Sequence, residues 1–563
     1  MRHTVSALVV LLWALAGAQP ASAAEGFAAH AMVAAANPLA AAAGVKVLKA
    51  GGSAADAAVA VQSVLGLVEP QSSGLGGGAF MVYYDAKTHI VTAYDGRETA
   101  PKGATPDMFL GPDGKPLGYF DAVVSGHSTG SPGAIGMLAL AQHDHGFRPW
   151  NTLFGSAIGM ADDGFIVSPR LAGFVAFPQG QARGKDALAY FGKPDGTEVV
   201  AGDRLKNPAY AATLRLLAKD GVQAFYTGKI AQDIAARVHE EPRPGALTTD
   251  DLAAYRPKKT PALCRPYRAY TICTAQDPSG GSALLETMGL LERTDIDKRG
   301  PGDAQAWFEI AQASRLMYAD RDRYIGDPSF IAVPTEGLLS KAYLDQRAKL
   351  IGEVAGPPPK PGDPPGAQKR AVDATREPGG TSHMVIVDAH GDVLSMTTSV
   401  ESLFGSGRMV DGFFINNQLT DFSHNPVDPD GAPAANAVAP GKRPRSAMSP
   451  VIVLDHNGRF FCALGSPGGP AILAYNVKAL VGVLDWKLTM QQAFALPNVV
   501  ARGNQYSAET DLLGPRVTAA LTARGMRFQT GFGENSGLHG IKAVKGGWQG
   551  GADPRREGVA EGF

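Results

Sequence analysis

Cysteine is scarce, with three residues in 563: Cys264, Cys273 and Cys462. None stands with histidines at a spacing that would hold zinc. Charge of either sign is also missing as a feature. Lysine plus arginine number 52 against 53 acids, a net charge of −1, and no dense basic run occurs. That gives no electrostatic basis for binding nucleic acid or an anionic membrane. Long hydrophobic runs are absent beyond the first 18 residues, so nothing later in the chain is expected to span a membrane. There is no internal repeat. What is plentiful is glycine (69) and proline (40), which imply many tight turns and loops. The 45% apolar and 19% charged composition is that of a soluble globular protein, and the length suits two or more lobes or one large α/β body.

The first 23 residues read as a targeting segment. Arg2 and His3 precede an apolar run from Val5 to Ala18, and Ala21-Ser22-Ala23 is an A-x-A cleavage site. The mature chain is then expected to start at Ala24 and to be periplasmic or secreted. In that oxidising setting Cys264 and Cys273, which flank two short alternating strands, are either bridged or two free thiols. Cys462, in Phe460-Phe461-Cys462-Ala463-Leu464, reads as a buried small hydrophobe.

Along the chain, Asn37-Pro38 starts a helix that Gly51-Gly52 stops, and Ser53 caps a second helix to about Leu67. Gly74, Gly76 and Ala79 match the dinucleotide fingerprint G-x-G-x-x-G/A. The context is wrong, because a helix precedes and a strand, Phe80 to Tyr84, follows. Close packing of this loop against another segment is the expectation. Arg97 leaves the next strand into a proline-marked loop. Gly126-His127-Ser128-Thr129-Gly130 fits the nucleophile elbow G-x-S-x-G, but the next helix starts several residues late, at Pro132. A serine esterase using Ser128 is therefore a competing reading to be tested. Leu247 to Leu252 resembles a capped helix start. Asp277 to Ser282 opens a helix through Glu292, and Asp303 caps a long helix in which Ile310, Ala313 and Met317 share a face. Gly356–Gly366 is a proline-rich spacer.

After the spacer comes Glu377-Pro378-Gly379-Gly380-Thr381-Ser382-His383. Two apolar runs, Met384–Val387 and Val393–Val400, flank Ala389-His390-Gly391-Asp392, a β-hairpin whose first strand opens at Thr381. A Gly-Thr junction is by itself an ordinary strand start. It is also a place where a threonine hydroxyl can attack the uncrowded carbonyl behind it. Cleavage there would make Thr381 an N-terminus. Its α-amine, of pKa about 7.7–8.0 when unperturbed, would serve as general base for its own hydroxyl.

Five motifs occur in order: Gly379 to His383, Phe404-Gly405-Ser406-Gly407, Asn416 to Ser423, Lys442-Arg443-Pro444-Arg445-Ser446-Ala447-Met448-Ser449-Pro450, and Gly465-Ser466-Pro467-Gly468-Gly469. Together they resemble the γ-glutamyltranspeptidase family of N-terminal-nucleophile hydrolases over nearly the whole mature chain. The resemblance implies an α+β fold, a four-layer αββα sandwich, autoprocessed between Gly380 and Thr381. Residues 24–380 would be the large subunit, with a proline-rich tail from about 356, and 381–563 the small subunit. The two would stay together as a heterodimer.

The resemblance also implies roles. Thr381 is the nucleophile, Ser399 the hydroxyl that bonds to it, and Gly468 and Gly469 the oxyanion hole. Arg97 and Ser446 hold the donor's α-carboxylate; Gln418 and Asp421, with Glu401, hold its α-amine. Three positions depart from the family pattern. Glu401 replaces an asparagine, Ala447 a second serine, and Arg445 a leucine, offering a cation where a hydroxyl is lost. The segment from Ser423 to Lys442 has no tyrosine. The implied reaction is transfer of a γ-glutamyl group from glutathione or another γ-glutamyl amide to water, an amino acid or a dipeptide. It needs no metal or organic cofactor. The alternatives are a glutaryl (cephalosporin-type) acylase of the same family and a non-catalytic binding protein with the same fold.

Overall fold

The computed structural model describes residues 25–563 apart from 376, 378 and 530–534; the expected targeting segment, 1–23, lies outside the described residues. Two seven-stranded sheets, each antiparallel throughout, are stacked face to face. One runs Gly26–Ala28, Gly547–Ala552, His539–Val544, Phe460–Gly465, Val451–Leu454, Tyr270–Thr274, Leu263–Tyr267. The other runs Val559–Gly562, Met32–Ala35, Thr381–Val387, Val393–Ser399, Gly78–Tyr84, Val91–Gly96, Lys258–Pro261. The helices Pro38–Lys49, Ala54–Val68 and Ala134–His145 cover the outer face of the second sheet, and Gly281–Leu291, Ala304–Tyr324 and Ile472–Leu484 cover the first. This is the αββα sandwich.

The hairpin at Thr381 lies at the centre of the second sheet. Every residue of Thr381–Val387 and Val393–Ser399 is buried, because helices cover one face and the other sheet covers the other. That double burial is why both strands read as near-continuous apolar runs. Alternation sorts their side chains. Met384 and Ile386 join the helical core, whereas Val385 and Val387 enter the core that includes Ile452 and Leu464 of the facing sheet. Thr381 has the parity of Val385 and so looks toward the facing sheet. His383, between them, fits a notch at Gly465, where an added Cβ would lie 2.3 Å from its ring.

Local signals set the helix starts. Asn37 Oδ1 accepts from Leu39 N, and Ser53 and Asp56 form a reciprocal capping box. Thr248 and Asp251 form another, and Asp303 caps the 21-residue helix. The glycine loop does pack closely. A Cβ on Gly76 would lie 2.2 Å from the Phe414 carbonyl, and one on Gly77 2.1 Å from that of Ser399. Cys264 and Cys273 face each other across the hairpin Leu263–Tyr267/Tyr270–Thr274 and are bridged; Cys462 is a buried free thiol. The proline-rich tract is exposed over most of its length, as a spacer would be, but it is pinned. Gly362 N donates to Asp320 Oδ1 at 2.6 Å, and Arg315 donates to the Gly356 and Pro357 carbonyls. Among the described residues no helix is long and apolar enough to cross a membrane.

The elbow reading fails on geometry. Ala122-Val123 belong to the short helix Tyr119–Val123, not a strand. Ser128 is buried, and its hydroxyl hydrogen-bonds with the carbonyls of Val123 and Ser125 at 2.7 and 2.8 Å.

Gly77 bears on the site directly, since it touches the end of the strand that carries Ser399. Gly77→Ala is expected to displace that strand end, cost about 1–3 kcal/mol, and block chain cleavage. Thermal unfolding and the mass of the expressed chain measure both; a cleaved variant of unchanged Tm would contradict the packing argument.

Candidate functional site

The ladder sets Thr381 directly opposite Ser399. Thr381 Oγ1 lies 3.2 Å from Ser399 Oγ, which donates to the Gly380 carbonyl at 2.6 Å and accepts from Glu401 N at 2.8 Å. The serine thus touches both the hydroxyl that would attack and the carbonyl that would be attacked. Gly380 is required there by space, because a Cβ would lie 2.2 Å from the Glu401 carbonyl.

Thr381 and Ser399 line a small cavity of about 20 Å³ together with Glu401, Gln418 and Asp421. Ser446, Ala447 and Gly469 complete the wall on the facing-sheet side. Gly468 opens instead onto an adjoining cleft of about 730 Å³ that Gly379, Tyr475 and Arg502 also line. Both glycines take positive φ, 133° and 56°, at the 3-10 turn that enters the helix Ile472–Leu484. A side chain at Gly468 would strike the Tyr475 ring.

Arg97 stands one layer behind the cavity. Its Nη2 donates to Asp421 Oδ2 and to the Arg445 carbonyl, and its Nε to the Pro444 carbonyl. Glu98 lies 3.8 Å away, and burial pushes its carboxyl up to about 8. That leaves Asp421 as the counter-charge of Arg97. Ser446 Oγ accepts from Met448 N.

Glu401 is strained as well as buried. Its φ is +84°, a region that costs a long side chain on the order of 1–2 kcal/mol and that asparagine tolerates better. Burial, then the neighbouring Asp421 carboxylate, raise its pKa well above the usual range, and Oε2 has no hydrogen-bond partner. Glu401, Gln418 and Asp421 form an acid-rich corner in which burial and the neighbouring carboxylate favour the protonated form of Glu401.

Arg445 does not face the cavity as a free cation. Its fully buried guanidinium binds Glu377 Oε1 at 2.9 Å and Asp373 Oδ2 at 3.1 Å. Glu377 is a charged cavity-lining residue that sequence reasoning missed. Four residues before Thr381, it also accepts from Arg321 Nη2 at 3.0 Å. Burial alone would raise its carboxyl, but the Arg321, Arg445 and Arg502 cations hold it well below the usual range. Asn436 is a second omission. It donates to the Asp421 carbonyl at 2.6 Å and accepts from Arg445 N at 2.8 Å, tying the 423–442 segment under the site. No motif marked either residue. Among the described residues no cluster could hold a metal ion.

Binding of an ammonium in the acid corner should expel the Glu401 proton. Inhibition of the mature chain by L-glutamate is therefore expected to strengthen as pH rises from 5 toward 8, while inhibition by glutarate, which lacks the amine, does not. Glu401→Gln should flatten the difference. Parallel pH slopes for the two inhibitors would rule out the linkage.

The profile of the gamma-glutamyltranspeptidase family matches residues 40–563. The glutathione hydrolase proenzyme of Bacillus subtilis (strain 168) is 34% identical over 548 residues, covering 94% of this chain and 91% of its own. That of Escherichia coli (strain K12) is 36% identical over 479 residues, 83% of this chain and 80% of its own. The crystal structure of cephalosporin acylase from Bacillus halodurans superposes with a TM-score of 0.84 at 27% identity, covering 98% of this chain and 99% of the other.

Proposed function

The chain belongs to the gamma-glutamyltranspeptidase family, and from that premise we propose that it is an autoprocessing γ-glutamyltransferase and glutathione hydrolase acting in the periplasm or outside the cell. The observation that carries this reading is the convergence of Thr381, Ser399 and the Gly380 carbonyl within hydrogen-bonding distance at the head of a buried strand.

Processing comes first. Thr381 Oγ attacks the Gly380 carbonyl carbon while Ser399 donates to the carbonyl oxygen. The C–N bond breaks, the amide nitrogen takes the hydroxyl proton, and an ester joins Gly380 to Thr381 Oγ. Water hydrolyses the ester, leaving residues 24–380 and 381–563 as two subunits and Thr381 with a free α-amine. Turnover repeats the chemistry on a donor. The α-amine takes the proton from Oγ as it attacks the γ-amide carbonyl. The N–H groups of Gly468 and Gly469 receive the oxyanion, a type of donor worth roughly 10²–10³ in rate. The leaving amine departs protonated, and water or the amine of an amino acid or dipeptide resolves the acyl-enzyme. Glu401, Gln418 and Asp421 take the donor's ammonium, with Ser446 on the carboxylate side and Arg97 behind Asp421, whose carboxylate it holds.

A second reading, a glutaryl acylase, is favoured by Ala447 and by the raised pKa of Glu401, whose neutral form needs no amine beside it. Turnover of γ-glutamyl against glutaryl 4-nitroanilide, which differ only in the α-amine, separates the two. Preference for γ-glutamyl by tenfold or more is expected; preference for glutaryl would transfer the assignment to the acylase. Thr381→Ala should remain one chain and be inactive. Ser399→Ala should slow self-cleavage by about 10²-fold, as followed by the appearance of the two subunits over time; a variant cleaved at the normal rate would remove Ser399 from the mechanism.

A further inference from the structure

Three arginines meet at Glu377: Arg321 from the helix Ala304–Tyr324, Arg445 from the loop before Val451–Leu454, and Arg502 at the end of Val499–Arg502. Arg321 and Arg445 are fully buried and bind Glu377 directly. Three carboxylates oppose these three cations. Asp322 pairs with Arg321 at 3.2 Å and with Arg502 at 2.8 Å, Asp373 pairs with Arg445, and Glu377 completes the set. The cluster is neutral only while Glu377 is in place.

Glu377 differs from its two fellow acids in how it is held. Asp322 is part of the long helix. Asp373 is fixed through its backbone, its N–H donating to the Asp322 carbonyl at 2.8 Å, and Thr375 accepts from His424 N at 3.0 Å. Among the described residues Glu377 is held through its carboxylate by Arg321 and Arg445, and it stands three residues from the bond proposed to be cut. It also forms a wall of three spaces at once: the small cavity beside Thr381, the 730 Å³ cleft with Gly468, and a neighbouring one of about 630 Å³ with Arg315 and Asp373. A 20 Å³ cavity has room for little more than one water, and Glu377 is one of the side chains that bound it.

We propose that Glu377 is an internal occupant of a carboxylate subsite built by Arg321, Arg445 and Arg502, which chain cleavage vacates for a carboxylate of the substrate. With Glu377 gone, three cations face two carboxylates, an excess of one positive charge suited to one carboxylate. Guanidinium forks recognise that group through paired hydrogen bonds. The position is opposite in sign to the acid corner of Glu401 and Asp421 across the same small cavity, an arrangement that fits a zwitterion. The carboxylate belongs either to the donor's α-carbon or to the leaving group.

This rests on the γ-glutamyl reading above, which fails separately if the wild-type chain turns over no γ-glutamyl anilide. The subsite is tested on the cleaved protein with three donors: γ-glutamyl-4-nitroanilide, γ-glutamyl-3-carboxy-4-nitroanilide, and 4-aminobutanoyl-4-nitroanilide, which lacks the α-carboxylate. Arg445→Leu is expected to lower kcat/KM roughly tenfold to hundredfold, the scale of a lost charge-assisted hydrogen bond. Loss on both γ-glutamyl donors and not on the aminobutanoyl one identifies the α-carboxylate. Loss confined to the carboxylated anilide identifies the leaving group. Arg445→Lys should restore part of the selective loss. Equal losses on all three donors, or none, would overturn the subsite. If Arg445→Leu is not cleaved, Arg502→Gln, whose side chain is partly exposed at the cleft, decides by the same comparison.

Discussion

The hydrogen bond from Ser399 to the Gly380 carbonyl exists only because Thr381 and Ser399 are paired across an antiparallel ladder. A one-residue slip of either strand would turn its hydroxyl to the helical face and leave the two on opposite sides of the sheet. The register is fixed by burial on both sides: Val385 and Val387 belong to the inter-sheet core and Met384 and Ile386 to the helical one. The facing sheet then delivers Gly468 and Gly469 past the end of Phe460–Gly465. Positioning of the site is thus a consequence of side-chain alternation in two central strands.

Electrostatics divides the cavity into unlike halves. Glu401 and Asp421 lie together, and burial with the Asp421 carboxylate raises the Glu401 pKa well above the usual range. Glu377 lies on the other side and stays ionised because two guanidiniums bind it. The same kind of side chain, buried in both places, has its pKa shifted in opposite directions. The difference is whether the nearest charged neighbour is a carboxylate or an arginine.

Much of this was legible in the sequence. Asn37, Ser53 and Asp303 marked helix starts because capping is a local interaction. The hairpin at Thr381 was legible from its apolar runs and turn, and the glycines of Gly74–Gly78 from their mismatch with a nucleotide-binding context. Thr381, Ser399, Glu401, Gln418, Asp421, Ser446 and Gly469, named from the sequence, line one cavity. The role of Glu377 was not legible, since its partners Arg321 and Arg445 lie 56 and 68 residues away and no spacing rule links them. The direction of Arg445 was misjudged for the same reason: a substitution reveals a charge but not its partner. Ser128 matched a motif whose meaning depends on a strand that the chain does not form there.

The strand order has a consequence for the protein once it is cut. The small piece's Thr381–Ser399 hairpin lies between Met32–Ala35 and Gly78–Tyr84 of the large piece, and the small piece's last strand, Val559–Gly562, closes over Met32–Ala35 from the far side. The disulfide joins two residues of the large piece, so no covalent bond would cross between the two. Their cohesion would be the sheets themselves, woven so that neither piece can leave without unzipping both of its neighbours. A fold assembled by one chain and then severed has no short route back, because the threading that a continuous polypeptide guided would have to be found by two separate molecules. The mature protein would owe its persistence to the height of its unfolding barrier, and losing it would be a one-way event.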